Sequence, residues 1–160
     1  MNKIFTILFL LVATFAMAQK ADSVITGGGV NDVYYDFETG TEVSLDRALW
    51  DIGFTSDLMN SSIIINENAG VELFLYSEDI ADWASLDTAG FDFDPIYNSE
   101  ETWAYGAFSN QGTIHPDYGW GIYNQNTHDI VGDRLFIIKT QGGDYLKIII
   151  DKLDRSGVWF

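Results

Sequence analysis

The sequence predicts an all-β fold: a β-dominated, sandwich-like domain of antiparallel strands with little helix. Three observations carry that expectation. Apolar residues recur in short runs with a two-residue period, as in Trp50-Asp51-Ile52-Gly53-Phe54. Turn-forming clusters punctuate those runs, among them Glu38-Thr39-Gly40-Thr41, Glu67-Asn68-Ala69-Gly70 and Gln141-Gly142-Gly143-Asp144. Only the stretch around Ile80, Trp83 and Leu86, flanked by Glu78, Asp79, Asp82 and Asp87, has the spacing of a short amphipathic helical turn. No repeat of solenoid or propeller period interrupts this pattern.

Taken in order, the elements begin after a processing signal. Lys3 gives a basic start, Ile4 to Phe15 an apolar stretch too short to span a bilayer, and Ala16-Met17-Ala18 a cleavage site before Gln19. Residues 1–18 are therefore expected to be a signal peptide. Residues 19–31 form a polar lead-in whose Gly27-Gly28-Gly29 lacks side chains to pack and acts as a flexible joint. Residues 32–160 are expected to form a single domain. The chain has no cysteine, so the product is not a lipoprotein and its fold relies on apolar burial rather than disulfides. Aromatic residues make up 15% of the sequence and supply bulk for that burial.

Val33 to Phe37 and Glu42 to Leu45 are predicted strands around the first turn. The Trp50 strand follows, with Trp50, Ile52 and Phe54 on one face and Asp51 on the other. Ser61–Asn66 and Val71–Tyr76 suggest a second strand pair about residues 67–70. Phe91 to Pro95 is extended. Trp103–Phe108 and Trp120–Tyr123 suggest short aromatic strands separated by a polar loop. Gly157-Val158-Trp159-Phe160 resembles the start of a further strand, which suggests that the domain is truncated in its last strand.

Leu135–Ile138 and Leu146–Ile150 form the clearest hairpin. With Gly142-Gly143 as a two-residue turn, Ile138 faces Lys147 and both faces of the ribbon are apolar away from the turn. That register places the ribbon inside the sheet and Lys147 among apolar side chains. An unpaired buried ammonium is costly, so an ion pair with Asp51 is expected.

Three stretches in this order, Val33-Tyr34-Tyr35-Asp36-Phe37-Glu38-Thr39-Gly40, Trp50-Asp51-Ile52-Gly53-Phe54 and Arg134 to Ile150, resemble the HmuY-like family of secreted or surface haem-binding proteins of Bacteroidetes. The resemblance implies a β-rich domain with a ligand slot. It also implies capture of haem by two axial side chains from loops at one end, histidines in the founding member and methionines in some relatives. Met59 is the sole methionine outside the signal peptide, so a methionine pair is excluded within the mature chain. The resemblance places the later axial histidine near Tyr123-Asn124-Gln125, where none occurs; His128 follows several residues on.

The candidate haem ligands are thus His115, which precedes a proline, and His128, set between Thr127 and Asp129. Neutral imidazole is a good ligand for haem iron. Arg134 is the nearest cation in sequence for the haem propionates. Asp92, Asp94, Glu100 and Glu101 are weaker candidates for calcium, since their spacing matches no EF-hand loop.

Charge narrows the partners. The whole chain carries −16, and losing Lys3 with the leader leaves 7 basic residues against 24 acidic. Such a field repels nucleic acid and anionic lipid. No serine-hydrolase elbow, zinc-protease motif or cysteine nucleophile is present. The sequence therefore points to a non-enzymatic, secreted or cell-surface binding protein, with a small ligand such as haem or surface and host proteins as partners. A structural or adhesive surface module without haem is the alternative. A secreted carbohydrate-active enzyme, with Trp83, Trp103 and Trp120 as a sugar platform, is the third.

Overall fold

A computed structural model describes residues 21–55, 60–89, 91–102, 104–110 and 115–160. The expected signal peptide, Met59 and Trp103 lie outside the described residues. Among those described, ten strands form four small antiparallel sheets, and helical structure is confined to 3-10 turns of three to five residues. The β-dominated fold class holds.

Strands β1 (Asn31–Asp36) and β2 (Thr41–Asp46) make a regular hairpin with Tyr34 opposite Val43. Every residue of β2 is exposed, and Phe37 at the turn is 93% exposed. Strand β3 (Ile52–Phe54) pairs with β4 (Ile63–Ile65). Strand β5 (Glu72–Ser77) belongs to another sheet, in the order β5–β8–β9, with β8 (Leu135–Lys139) between β5 and β9 (Tyr145–Ile148). Strand β7 (Ile130–Gly132) lies between β6 (Gly121–Tyr123) and β10 (Lys152–Leu153). One buried cluster joins the last three sheets, with no residue from β1 or β2: Ile63 and Ile65 from β4, Leu73 from β5, Ile130 from β7, Phe136 and Ile138 from β8, and Leu153 from β10, together with Phe108 and Trp120. β-Branched and aromatic side chains suit strands that are flanked and covered in this way.

Several expectations are corrected. The β4 and β5 segments do not pair with each other. The Asn66 side chain donates to the Arg47 and Trp50 carbonyls at 2.6 and 2.8 Å, and a 3-10 turn over Glu67–Ala69 then sends the chain to the other sheet. The described part of 103–108 is not a strand, since Ala107–Ser109 forms a 3-10 turn. Here the chain presses against β4: the Gly106 amide donates to Ser62 Oγ, and a Cβ on Gly106 would lie 2.1 Å from the Ile63 carbonyl oxygen. Backbone packed that closely cannot also run as a strand with side chains on both faces. The helical turn predicted near Trp83 is a 3-10 turn, Ile80–Ala84, capped by the Asp79 carboxylate accepting from the Ala81 amide.

The late hairpin is also re-registered. Its loop has three residues: the Thr140 amide donates to the Asp144 carbonyl, the Gly143 amide donates to the Thr140 carbonyl, and Gly143 is left-handed at φ 90°. Ile137 therefore faces Lys147, and Ile138 faces Leu146. A shift of one residue exchanges the two faces of β9. Moreover, β9 is an edge strand on which Tyr145, Leu146 and Lys147 are all exposed.

Lys147 is exposed rather than buried, and its ammonium does not pair with Asp51. Lys147 Nζ donates to the Trp83 carbonyl at 3.0 Å and lies 4.8 Å from the centre of the Trp83 ring. The Asp51 carboxylate instead receives a long 3.5 Å contact from the Gln141 amide.

Candidate functional site

The site grows out of β6. Left-handed Gly119 turns the chain so that residues 116–118 run back alongside β6. There the Tyr123 amide donates to the Pro116 carbonyl at 2.8 Å, and the Tyr118 amide to the Gly121 carbonyl at 3.0 Å. This doubling sets His115 beside Tyr123, with ring centres 5.0 Å apart. On the other side of β6, residues 124–129 lead into β7. The Asn124 amide donates to the Asp129 carbonyl and the His128 amide to the Asn124 carbonyl, both at 2.8 Å. His128 takes a left-handed backbone at φ 64°, uncommon for a residue with a side chain. That conformation closes the loop and directs the chain into β7.

Strand β10 pairs with β7 and delivers the third wall. Its following turn is held by Asp154 Oδ1, which accepts from the Ser156 and Val158 amides and from the Ser156 hydroxyl. The chain then folds back, with Trp159 bridged to Leu153 and packed against Trp120 at 5.3 Å between ring centres. Trp120 is fully buried, and its indole N–H donates to the Ser61 carbonyl. Together these elements enclose a cavity of about 560 Å³ lined by His115, Tyr118, Tyr123, His128, Ile130 and Arg155, among others.

The two histidines named from sequence thus border one cavity. Between them in the contact network sits Tyr123, which the sequence reading passed over. Its hydroxyl lies 2.6 Å from His128 Nδ1. The tautomer that opens Nε2 to a metal is the one in which Nδ1–H donates to the tyrosine oxygen. Tyr118 stands edge-on to His115 at 6.2 Å between ring centres, so aromatic rings line the wall around the imidazoles. Such a cavity offers flat aromatic surface together with two imidazole rings.

Arg134 does not serve this cavity. It is 7% exposed and binds Asp117 with two parallel hydrogen bonds, 2.8 and 2.9 Å. Its guanidinium is committed there, which removes it as a propionate contact. The pair has a structural task, since Asp117 lies two residues after His115 and so ties the His115 segment to the start of β8. Hydrogen bonding from Arg134 holds the Asp117 carboxyl below the ordinary carboxylate range. Neighbouring Asp133, 4.0 Å from Arg134 Nε, is pushed the other way by burial. The cation that reaches the cavity is Arg155. The only sequence signal for it was a lone basic residue in the turn-like Asp154-Arg155-Ser156-Gly157.

The calcium candidates do not assemble. Asp92, Asp94, Glu100 and Glu101 are all exposed, and no group of three or more metal-ligating side chains converges among the described residues. Phe91 and Phe93 turn onto an aromatic cluster with Phe74 and Tyr76, and alternation points the two aspartates to solvent.

A second cavity of about 740 Å³ lies beside β1 and β3, lined by Tyr34, Phe54, Tyr105 and several amide side chains. Each of the two cavities has a single lining carboxylate, Asp154 or Asp32, and Asp32 is paired with Arg47 at 2.8 Å. Neither supplies the facing carboxylates that glycoside hydrolysis uses. Among the described residues Trp83 and Trp120 give no sugar platform either: Trp120 is core and Trp83 carries Lys147, while Trp103 lies outside the described residues.

The family model described as HmuY protein matches residues 30–158, which span β1 to the last turn. Neither a curated protein nor a solved structure matches the chain.

Proposed function

The chain belongs to the HmuY family, and on that premise we propose that it is a non-enzymatic binding protein that captures haem in the His115–His128 cavity. One observation carries this reading: imidazoles from two separate loops line one aromatic-walled cavity. Haem iron takes axial nitrogen ligands, and the macrocycle takes flat apolar contacts of the kind that Tyr118 and Tyr123 offer. His128 would ligate through Nε2, oriented by Tyr123.

The protein acts outside the cytoplasm in this proposal, after cleavage before Gln19. No helix among the described residues is long and apolar enough to cross a membrane. The mass of the exported chain checks the cleavage point.

Haemin titration, followed through the Soret band, tests the function. The parent protein is expected to shift the band with one-to-one stoichiometry. His115→Ala and His128→Ala are each expected to weaken binding at least tenfold and to change the ligand-field bands. A parent protein that leaves the Soret band of haemin unchanged sinks the proposal. That outcome would favour an adhesive surface module, for which the exposed β1–β2 hairpin with Tyr34, Phe37, Val43 and Leu45 at its surface is the supporting feature.

A further inference from the structure

We propose that Arg155 is the anion contact of this cavity and makes it selective for a macrocycle bearing free carboxylates; this rests on the haem reading. The argument starts from charge. A chain at −16 repels an anionic ligand, so a cavity meant for one needs a local cation whose charge is not already spent.

Six lysines and arginines fall among the described residues, and five are engaged. Arg47 pairs with Asp32, Arg134 with Asp117 and Lys139 with Glu72. Lys147 sits on Trp83, and Lys152 Nζ lies 4.6 Å from the centre of the Phe160 ring. Arg155 is the sixth. Among the described residues its guanidinium has no hydrogen-bond or ion-pair partner, and it lines the cavity with both histidines.

Its backbone is nevertheless fixed. The Arg155 amide donates to Asp129 Oδ1 at 3.2 Å, which joins the Arg155 turn to the loop carrying His128. Asp154, the adjacent carboxylate, spends Oδ1 on its own turn. The result is an unpaired planar fork of donors on a backbone tied to the loop that carries a candidate metal ligand. An arginine so placed suits two-point recognition of a carboxylate.

The test compares haemin with its dimethyl ester, in which both carboxylates are capped, on the parent and on Arg155→Gln and Arg155→Lys. Because Arg155 is exposed, the variants are expected to keep the parent's melting temperature. The parent should prefer haemin to the ester about tenfold, the effect of a charge-assisted hydrogen bond. Arg155→Gln should lose that preference by weakening haemin alone, with the Soret position unchanged. Arg155→Lys should fall between. Equal parent affinity for haemin and ester, or a loss in Arg155→Gln that is the same for both, overturns the Arg155 assignment and leaves the haem reading standing. Failure of the parent to bind either macrocycle overturns both.

Discussion

At the scale of single residues, the contact between Tyr123 and His128 is the most chemically specific feature of the cavity. It engages Nδ1 by hydrogen bonding and so leaves Nε2 as the ring nitrogen free for a ligand. Tyr123→Phe removes the oxygen while keeping the ring. It is expected to weaken haemin binding by roughly 10- to 100-fold, the usual effect of losing a histidine's supporting partner, and to move the Soret maximum. Stability should change by only about 1 kcal/mol, the net worth of one hydrogen bond. A variant that binds haemin as the parent does would remove Tyr123 from the site. The histidines could be named from the sequence because the chain has only two, and both line the cavity. Tyr123 was not, because its strand pattern is equally that of a packing aromatic. Arg134 misled for a related reason: proximity in sequence to the cavity loop says nothing of the partner, Asp117, that the fold brings to it from 17 residues away.

At the scale of elements, the Asp117–Arg134 pair connects acid stability to the His115 segment. The Asp117 carboxyl is lowered in the folded chain, so its contribution is present above the ordinary aspartate value of about 3.9 and is lost as pH falls through the lower folded value. Asp117→Asn should cost roughly 2 kcal/mol at neutral pH, since it leaves Arg134 buried without its counter-charge. That difference should narrow below about pH 4 and then close. Denaturant titrations of both proteins across the acid range measure it, and a gap independent of pH would refute it. Asp133 opposes this trend. Burial raises its carboxyl, so its charge costs stability above that raised value, and the cost is relieved as pH falls toward the ordinary range.

Existence and order of most strands were legible from alternation and turn chemistry, as β1, β2 and β8 illustrate. Pairing was less so. β4 and β5 are adjacent in sequence, and only the Asn66 side chain, anchored to carbonyls before β3, shows why they part. The register of the β8–β9 hairpin depended on whether Thr140 or Gln141 closes the loop, a choice that the doubled glycine left open.

At the scale of the whole molecule, three of the four sheets share one core, to which the β1–β2 hairpin adds no buried residue, and the strands are unequally protected. Strand β8 is buried along Leu135–Ile138, whereas β9 has no hydrogen-bonded neighbour strand on one side among the described residues. Tyr145 and Leu146 are about half exposed on that strand. Edges of this kind invite pairing with another chain, and an embedded charge is a common defence. Lys147→Val would make the whole of this edge strand, Tyr145 to Ile148, apolar and β-prone. The variant is expected to stay folded at low concentration but to self-associate as concentration rises, seen by light scattering, while the parent remains unassociated. Equal scattering from both proteins would discount the idea.

Lys147 thus has a consequence beyond the fold of one chain. Lying across Trp83 with its charge exposed, it sets an ammonium on the open edge of β9, where a further copy of this strand-rich chain would have to desolvate it in order to pair.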